Sequence, residues 1–289
     1  MSRITTFSNG RYAFAVNDFG PLDGPIVVLL HGFPESADSW RDVCADLNNR
    51  GLRTLTFDQR GYAAGAQPRG RFAYRVSELA GDVLALARTV APLKIHLVGH
   101  DWGALVAWTA SARWPERVET LTTVSVPHAA AFGRSLFTSD QVRRSYYMAI
   151  FQVPWLAEFI ARRRPKWAKA SLVASGMREA EVDRVFTELV PTPALTGALN
   201  WYRAAAFATS ADRAAVDIPT THVWSTGDRA LARRGAELCG DYVKADYRLE
   251  VLDGTHWLPT QNAADLARII HARVIGRPAT SRPSEQANR

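Results

Sequence analysis

Cysteine is nearly absent from this chain: only Cys44 and Cys239 occur in 289 residues, far apart and outside any metal-ligand spacing. Neither a disulfide framework nor a zinc site is expected, and a reducing cytoplasm is the natural setting. Long apolar runs are missing too. The best, Ile26-Val27-Val28-Leu29-Leu30, falls far short of the roughly 20 residues that cross a bilayer. The opening Met1-Ser2-Arg3-Ile4-Thr5-Thr6-Phe7 has no apolar core of the kind a secretory leader carries, so no integral membrane association is expected. Internal repeats and low-complexity stretches are lacking before the end of the chain. Residues 277–289 are polar, contain proline and have nothing to bury, so they are expected to be disordered. The net charge of +7 is not concentrated: Arg162-Arg163-Arg164 with Lys166 and Lys169 is the only dense basic run, and it reads as a solvated helix face rather than a nucleic-acid groove.

What is present is enough apolar residue, 47% of the chain, for one sizeable core or a core with an inserted subdomain. Apolar β-like runs at 26–30, 52–57, 95–98, 118–126, 220–225 and 247–252 alternate with helical segments at about 39–48, 76–91, 104–114 and 262–274. That alternation predicts an α/β fold with a mostly parallel sheet covered on both faces. Between 129 and 217 it stops, and helices punctuated by Pro154, Pro165, Pro191 and Pro193 suggest an inserted helical lid. The expected organisation is a core over 1–128 and 218–276, a cap over 129–217 and a tail over 277–289.

Gly99-His100-Asp101-Trp102-Gly103 lies between the run ending at Val98 and the helix former Ala104. Strand, sharp turn and helix is the local reading, with glycines where a side chain would collide with the neighbouring backbone. Asp101 is then either a helix N-cap or a nucleophile raised above the sheet edge. Three further features bear on that choice. His31-Gly32-Phe33-Pro34 follows the first strong strand, where backbone N–H groups of Phe33 and Trp102 form a candidate oxyanion hole. Asp228 and His256 each end a strand-to-turn segment, at the edge where open α/β sheets bind ligands. Nucleophile, acid, histidine is the chain order of the α/β-hydrolase triad. Asp253 competes with Asp228 as partner but more plainly serves its own turn. Tyr146-Tyr147 and Trp201-Tyr202 put phenols on two different lid helices, to converge over a carboxylate or simply to pack.

Together these segments resemble the α/β-hydrolase epoxide hydrolases over about residues 14–275. The resemblance rests on His31-Gly32-Phe33-Pro34-Glu35-Ser36, Asp58-Gln59-Arg60-Gly61-Tyr62, the elbow at Asp101, Tyr147 spaced from Phe151-Gln152 and Pro154, Leu199-Asn200-Trp201-Tyr202-Arg203, and Gly254-Thr255-His256-Trp257. It implies Asp101 as nucleophile, His256 as base, Asp228 as its orienting acid, and Tyr147 with Tyr202 as acids of the lid; Tyr146 is the fallback for the first. Met148 and Gly61-Tyr62-Ala63-Ala64-Gly65 depart from the usual pattern and bear on substrate shape. His31, Pro34, Phe151, Trp155 and Trp257, beside Phe33 and Trp102, are expected to line an apolar pocket. The implied reaction converts an apolar epoxide to a vicinal diol with no metal or organic cofactor. Haloalkane dehalogenation uses the same triad but leaves the tyrosines idle; a non-catalytic carrier shares the fold and needs no triad. A homodimer is left open.

Overall fold

The computed structural model describes residues 2–276. Why the run at 26–30 is continuously apolar is visible in the sheet it builds. β4 (Ile26–Leu30) has every residue buried, because Ile26, Val28 and Leu30 face one apolar layer while Val27 and Leu29 face the other. A strand buried on both faces has no polar side to alternate with. Seven strands pair in the order β3-β5-β4-β6-β7-β8-β9, where β3 is Asn17–Phe19, β5 Arg53–Thr56, β6 Ile95–His100, β7 Val118–Val124, β8 Thr220–Ser225 and β9 Tyr247–Leu252. All neighbours run parallel except β3 against β5. A separate antiparallel pair, β1 (Thr6–Asn9) with β2 (Tyr12–Ala15), packs Phe7 and Phe14 onto Phe57.

One apolar layer joins the sheet to the helices Val76–Thr89 and Trp102–Arg113 through Leu79, Val83, Leu86, Val106 and Trp108. The opposite layer joins it to Arg41–Asn49 and Ala263–Val274 through Val43, Leu47, Leu266 and Ile270. Between β7 and β8 no strand occurs among the described residues; the chain runs through helices from Ala129–Thr138 to Ala194–Ala204. These helices have a smaller core of their own, Met177, Val182, Leu189, Leu195 and Leu199, closed from the sheet side by Trp257. The expected tail, 277–289, lies outside the described residues.

The structure departs from the sequence reading mainly at the start. β1 to β3 are short and half exposed, so their apolar signal is weak. β3 is held by a buried ion pair: Arg53 Nε donates to Asp18 Oδ1 at 2.9 Å from the neighbouring strand. β7 ends at Val124, because Ser125 adopts a left-handed φ of 68° that turns the chain away from the sheet.

Candidate active site

At the carboxyl end of β6, Asp101 sits at φ 50°, ψ −120°, between the strand and the helix Trp102–Arg113. Few non-glycine residues tolerate this conformation, and the neighbours make room for it. A Cβ on Gly99 would overlap the Gly103 carbonyl, and one on Gly103 would overlap that of Leu30. The strained corner points the Asp101 carboxylate out of the sheet, where Oδ1 accepts the Phe33 N–H at 2.8 Å. Trp102 N–H opens the helix at the same corner.

His256 lies across from the carboxylate, with Nε2 3.6 Å from Asp101 Oδ2. Its other ring nitrogen is 2.8 Å from Asp228 Oδ2, so the ring is clamped between two acids. Asp228 is itself fixed: Oδ1 accepts the N–H groups of Ala230 and Leu231, both at 2.8 Å. The His256 carbonyl accepts from Ser125 Oγ at 3.1 Å and from His100 Nε2 at 2.9 Å, which locks the backbone that bears the ring. Behind it, Glu35 Oε2 stands 3.2 Å from His100 Nδ1. Burial disfavours an imidazolium here, yet the charges of Asp228 and Asp101 outweigh it and push the His256 pKa up to about 10. For Asp101 burial works to raise the pKa, and His256, His100 and the Phe33 N–H together hold it below the ordinary value.

Two helices from the β7–β8 excursion roof this corner. Tyr147 comes from Tyr146–Gln152 and Tyr202 from Ala194–Ala204, with ring centroids 6.1 Å apart. Burial and the nearby Asp101 charge raise both phenol pKa values, so both hydroxyls remain protonated donors. Their spacing is set by the helices that bear them. Arg203 Nε donates to the Phe151 carbonyl at 3.0 Å, and Gln152 Nε2 donates to the Tyr202 carbonyl at 2.9 Å. The same guanidinium makes two buried bonds to Glu158, at 2.9 and 2.8 Å. Trp201 Nε1 donates to the Arg60 carbonyl at 2.8 Å and ties the pair down to the core.

Asp101, Tyr147 and Tyr202 stand where two cavities meet. One, of about 360 Å³, is also bordered by His256, Phe33, Pro34, Phe151 and Trp257; the other, of about 740 Å³, by Trp102, Met148 and Phe132. A carboxylate, an oriented histidine and two phenol donors around one apolar space are the components of nucleophilic substitution followed by hydrolysis.

A model of the α/β-hydrolase fold family matches residues 25–263. Epoxide hydrolase 3 of Xenopus tropicalis is 30% identical over 263 residues, covering 87% of this chain and 71% of that protein. The chain belongs to the α/β-hydrolase-fold epoxide hydrolase family. An AB hydrolase superfamily protein, YfhM of Bacillus subtilis, is likewise 30% identical to this hydrolase, over 87% of the chain and 90% of its own length. The crystal structure of a Bacillus megaterium epoxide hydrolase with an inhibitor superposes with a TM-score of 0.81, covering 93% of this chain and 99% of that one at 22% identity.

Most residues picked out in the sequence of the hydrolase come together at this corner, and two do not. Trp155 is 79% exposed and lies outside both cavities, because its own left-handed φ of 62° swings the indole outward at the start of Leu156–Arg163. His31 is fully buried beneath the site: its Nε2 accepts the Gln59 N–H at 3.0 Å and its ring packs edge-on to Tyr62, so it braces the Gly32-Phe33-Pro34 loop. Tyr147 is the inner member of the tyrosine pair, whereas Tyr146 is 64% exposed. The bracing roles of Glu35, Arg203 and Glu158 escaped sequence reasoning, since the segments that they join are far apart in the chain.

Proposed function

We propose that this hydrolase opens an apolar epoxide by forming an alkyl ester on Asp101 and then hydrolysing that ester to a vicinal diol. The observation that carries the reading is the pair of protonated phenols, Tyr147 and Tyr202, that share one cavity with Asp101 and His256. An Asp101 oxygen attacks one epoxide carbon from behind while the C–O bond on its far side breaks. The ring oxygen gains negative charge as that bond breaks, and two phenol donors stabilise it more in the transition state than in the ground state. The alkoxide takes a proton from one phenol, and the proton that His256 gives up once Asp101 is an ester restores that phenol. In the second step His256, neutral and held by Asp228, takes a proton from water, which attacks the Asp101 carbonyl carbon. The Phe33 and Trp102 N–H groups receive the oxyanion. Collapse breaks the bond between that carbon and the alkyl oxygen, which takes the proton of the new carboxyl and leaves as the diol, so Asp101 returns as a carboxylate beside a protonated His256. A serine would give an ether with no carbonyl for water to attack, so the carboxylate is what makes the intermediate hydrolysable.

The high pKa of His256 in the free protein fits this order of events. While Asp101 is charged, His256 holds a proton and cannot act as a base; once Asp101 is an ester, one of the two charges that held the proton is gone. We read residues 129–217 as a cap whose contribution is the two phenols and the cavity roof. Cavities on both sides of Asp101 suit an epoxide substituted on both carbons.

The test is to incubate purified protein separately with styrene oxide and 1-bromobutane and to assay diol and free bromide. Diol from wild type, lost in Asp101→Ala and in Tyr147→Phe/Tyr202→Phe, is expected. Bromide release that survives loss of both tyrosines would make the protein a dehalogenase, and ligand binding without any product would make it a carrier.

A further inference from the structure

We propose that the outer face of the cap docks on an anionic lipid surface, with the mouth of the smaller cavity turned toward the bilayer. The helices Leu156–Arg163 and Pro165–Ala174 form the outer wall of that cavity through Ile160, Ala161 and Trp167. Their solvent side is unusually apolar. Trp155 is 79% exposed, Phe159 57% and Trp167 56%, with Val153 at 48%. Phe159 and Arg163 are four residues apart and so share one side of their helix, and Trp155 stands just before its first turn. The left-handed backbone at Trp155 holds a large indole in water, a costly arrangement for a bulky residue that packing inside the cap does not explain. Several large apolar side chains exposed on two successive helices mark an interaction surface.

The charge on the segment that carries the patch has one sign. Residues 142–176 contain seven arginines and lysines and a single acid, Glu158, which is buried against Arg203. Three of the cations are occupied: Arg144 pairs with Asp140, Arg162 folds back onto the Val190 carbonyl and Lys169 pairs with Asp183. Exposed Arg143, Arg163, Arg164 and Lys166 have no carboxylate partner among the described residues. Indole and phenyl rings beside unpaired guanidinium and ammonium groups match the boundary of a bilayer, where rings settle at the acyl edge and cations meet lipid phosphate. A second copy of the chain would bring the same charges face to face, and a polynucleotide would meet the cations and stack on the rings but leave the aliphatic Val153 and Leu156 uncovered. An anionic bilayer satisfies both parts. Delivery of an apolar epoxide from lipid into the cavity rests on the proposed function; docking itself does not.

Flotation of the full-length protein with phosphatidylcholine vesicles, with and without phosphatidylglycerol, tests this. Binding only to the phosphatidylglycerol vesicles is expected. It should fall on the order of tenfold in Trp155→Ser/Phe159→Ser and in Arg163→Glu/Arg164→Glu/Lys166→Glu, because apolar insertion and charge contribute separately. Arg11→Glu/Arg88→Glu/Lys94→Glu, which removes the same charge from the core, should bind like wild type. Three results would overturn the proposal: equal loss in the core variant, full binding by both cap variants, or a solution dimer that Trp155→Ser/Phe159→Ser splits while vesicles are ignored. Turnover of soluble styrene oxide should be the same in wild type and cap variants, and turnover of a long-chain epoxide dissolved in the vesicles should drop. Vesicle binding by a wild type that turns over neither epoxide would sink the functional reading and leave docking standing.

Discussion

Asp101→Asn keeps the shape of the side chain and removes its charge, so it mimics electrostatically what the proposed ester formation would do. His256 Nε2 lies 3.6 Å from Asp101 Oδ2. At an effective dielectric of about 20, unit charges at that separation interact by about 4.6 kcal/mol, or roughly three pKa units. Delocalisation of both charges over their groups lengthens the mean separation and trims this to about two units. From about 10 in the free protein, His256 should therefore fall to near 8 in the variant, still supported by Asp228. The assay is an NMR titration of the labelled His256 ring, on protein whose mass confirms that the introduced amide has not been hydrolysed back to the acid. A fall of about two units supports ester formation as the event that frees the base. A His256 pKa that moves by less than about half a unit would refute it, since the two groups would then be too weakly coupled for one to switch the other.

Further predictions follow from neighbouring contacts. Because the His256 pKa is raised on folding, its stabilisation is fully present below about pH 6.5, the unfolded value, and is lost as pH rises through about 10. Thermal unfolding followed from pH 6 to 10 should accordingly show a steeper loss of Tm in wild type than in Asp101→Asn. Tyr147→Phe and Tyr202→Phe should each slow ester formation by about a hundredfold in single-turnover kinetics, the usual cost of one oxyanion donor, with little effect on ester hydrolysis. Arg203→Met strands the buried Glu158 carboxylate, so denaturant unfolding should register a loss of about 3–5 kcal/mol. The double variant Glu158→Gln/Arg203→Met should recover part of it. Gly103→Ala drives a methyl into the Leu30 carbonyl and should cost at least about 1–3 kcal/mol, visible as a lowered unfolding midpoint.

How much of this could be read from residues alone depended on whether the signal was local. β4 announced itself because a strand buried on both faces is a continuous apolar run, whereas β3 is three residues long and owes its place to the distant Arg53. The elbow was legible because its glycines answer a steric demand within five residues. Asp228 and His256 were legible because parallel strands bring their carboxyl ends to one edge. Trp155 misled for the opposite reason: an aromatic beside Pro154 looks like pocket lining, and only its left-handed φ turns it outward. His31 misled because its neighbours Gly32 and Phe33 do border the site, while its own ring points down to Gln59. Arg203 and Glu158 are separated by 45 residues, and nothing in either helix alone marks the pairing that spaces the two tyrosines.

The covalent step is the centre of the account, and a single turnover in H₂¹⁸O tests it most directly. With protein in excess over a soluble epoxide, water oxygen should appear in the Asp101 carboxylate, located by mass spectrometry of the peptide, and the first diol should carry only ¹⁶O. Labelled diol with unlabelled Asp101 would mean that water attacks the epoxide itself, and Asp101 would then not be the nucleophile.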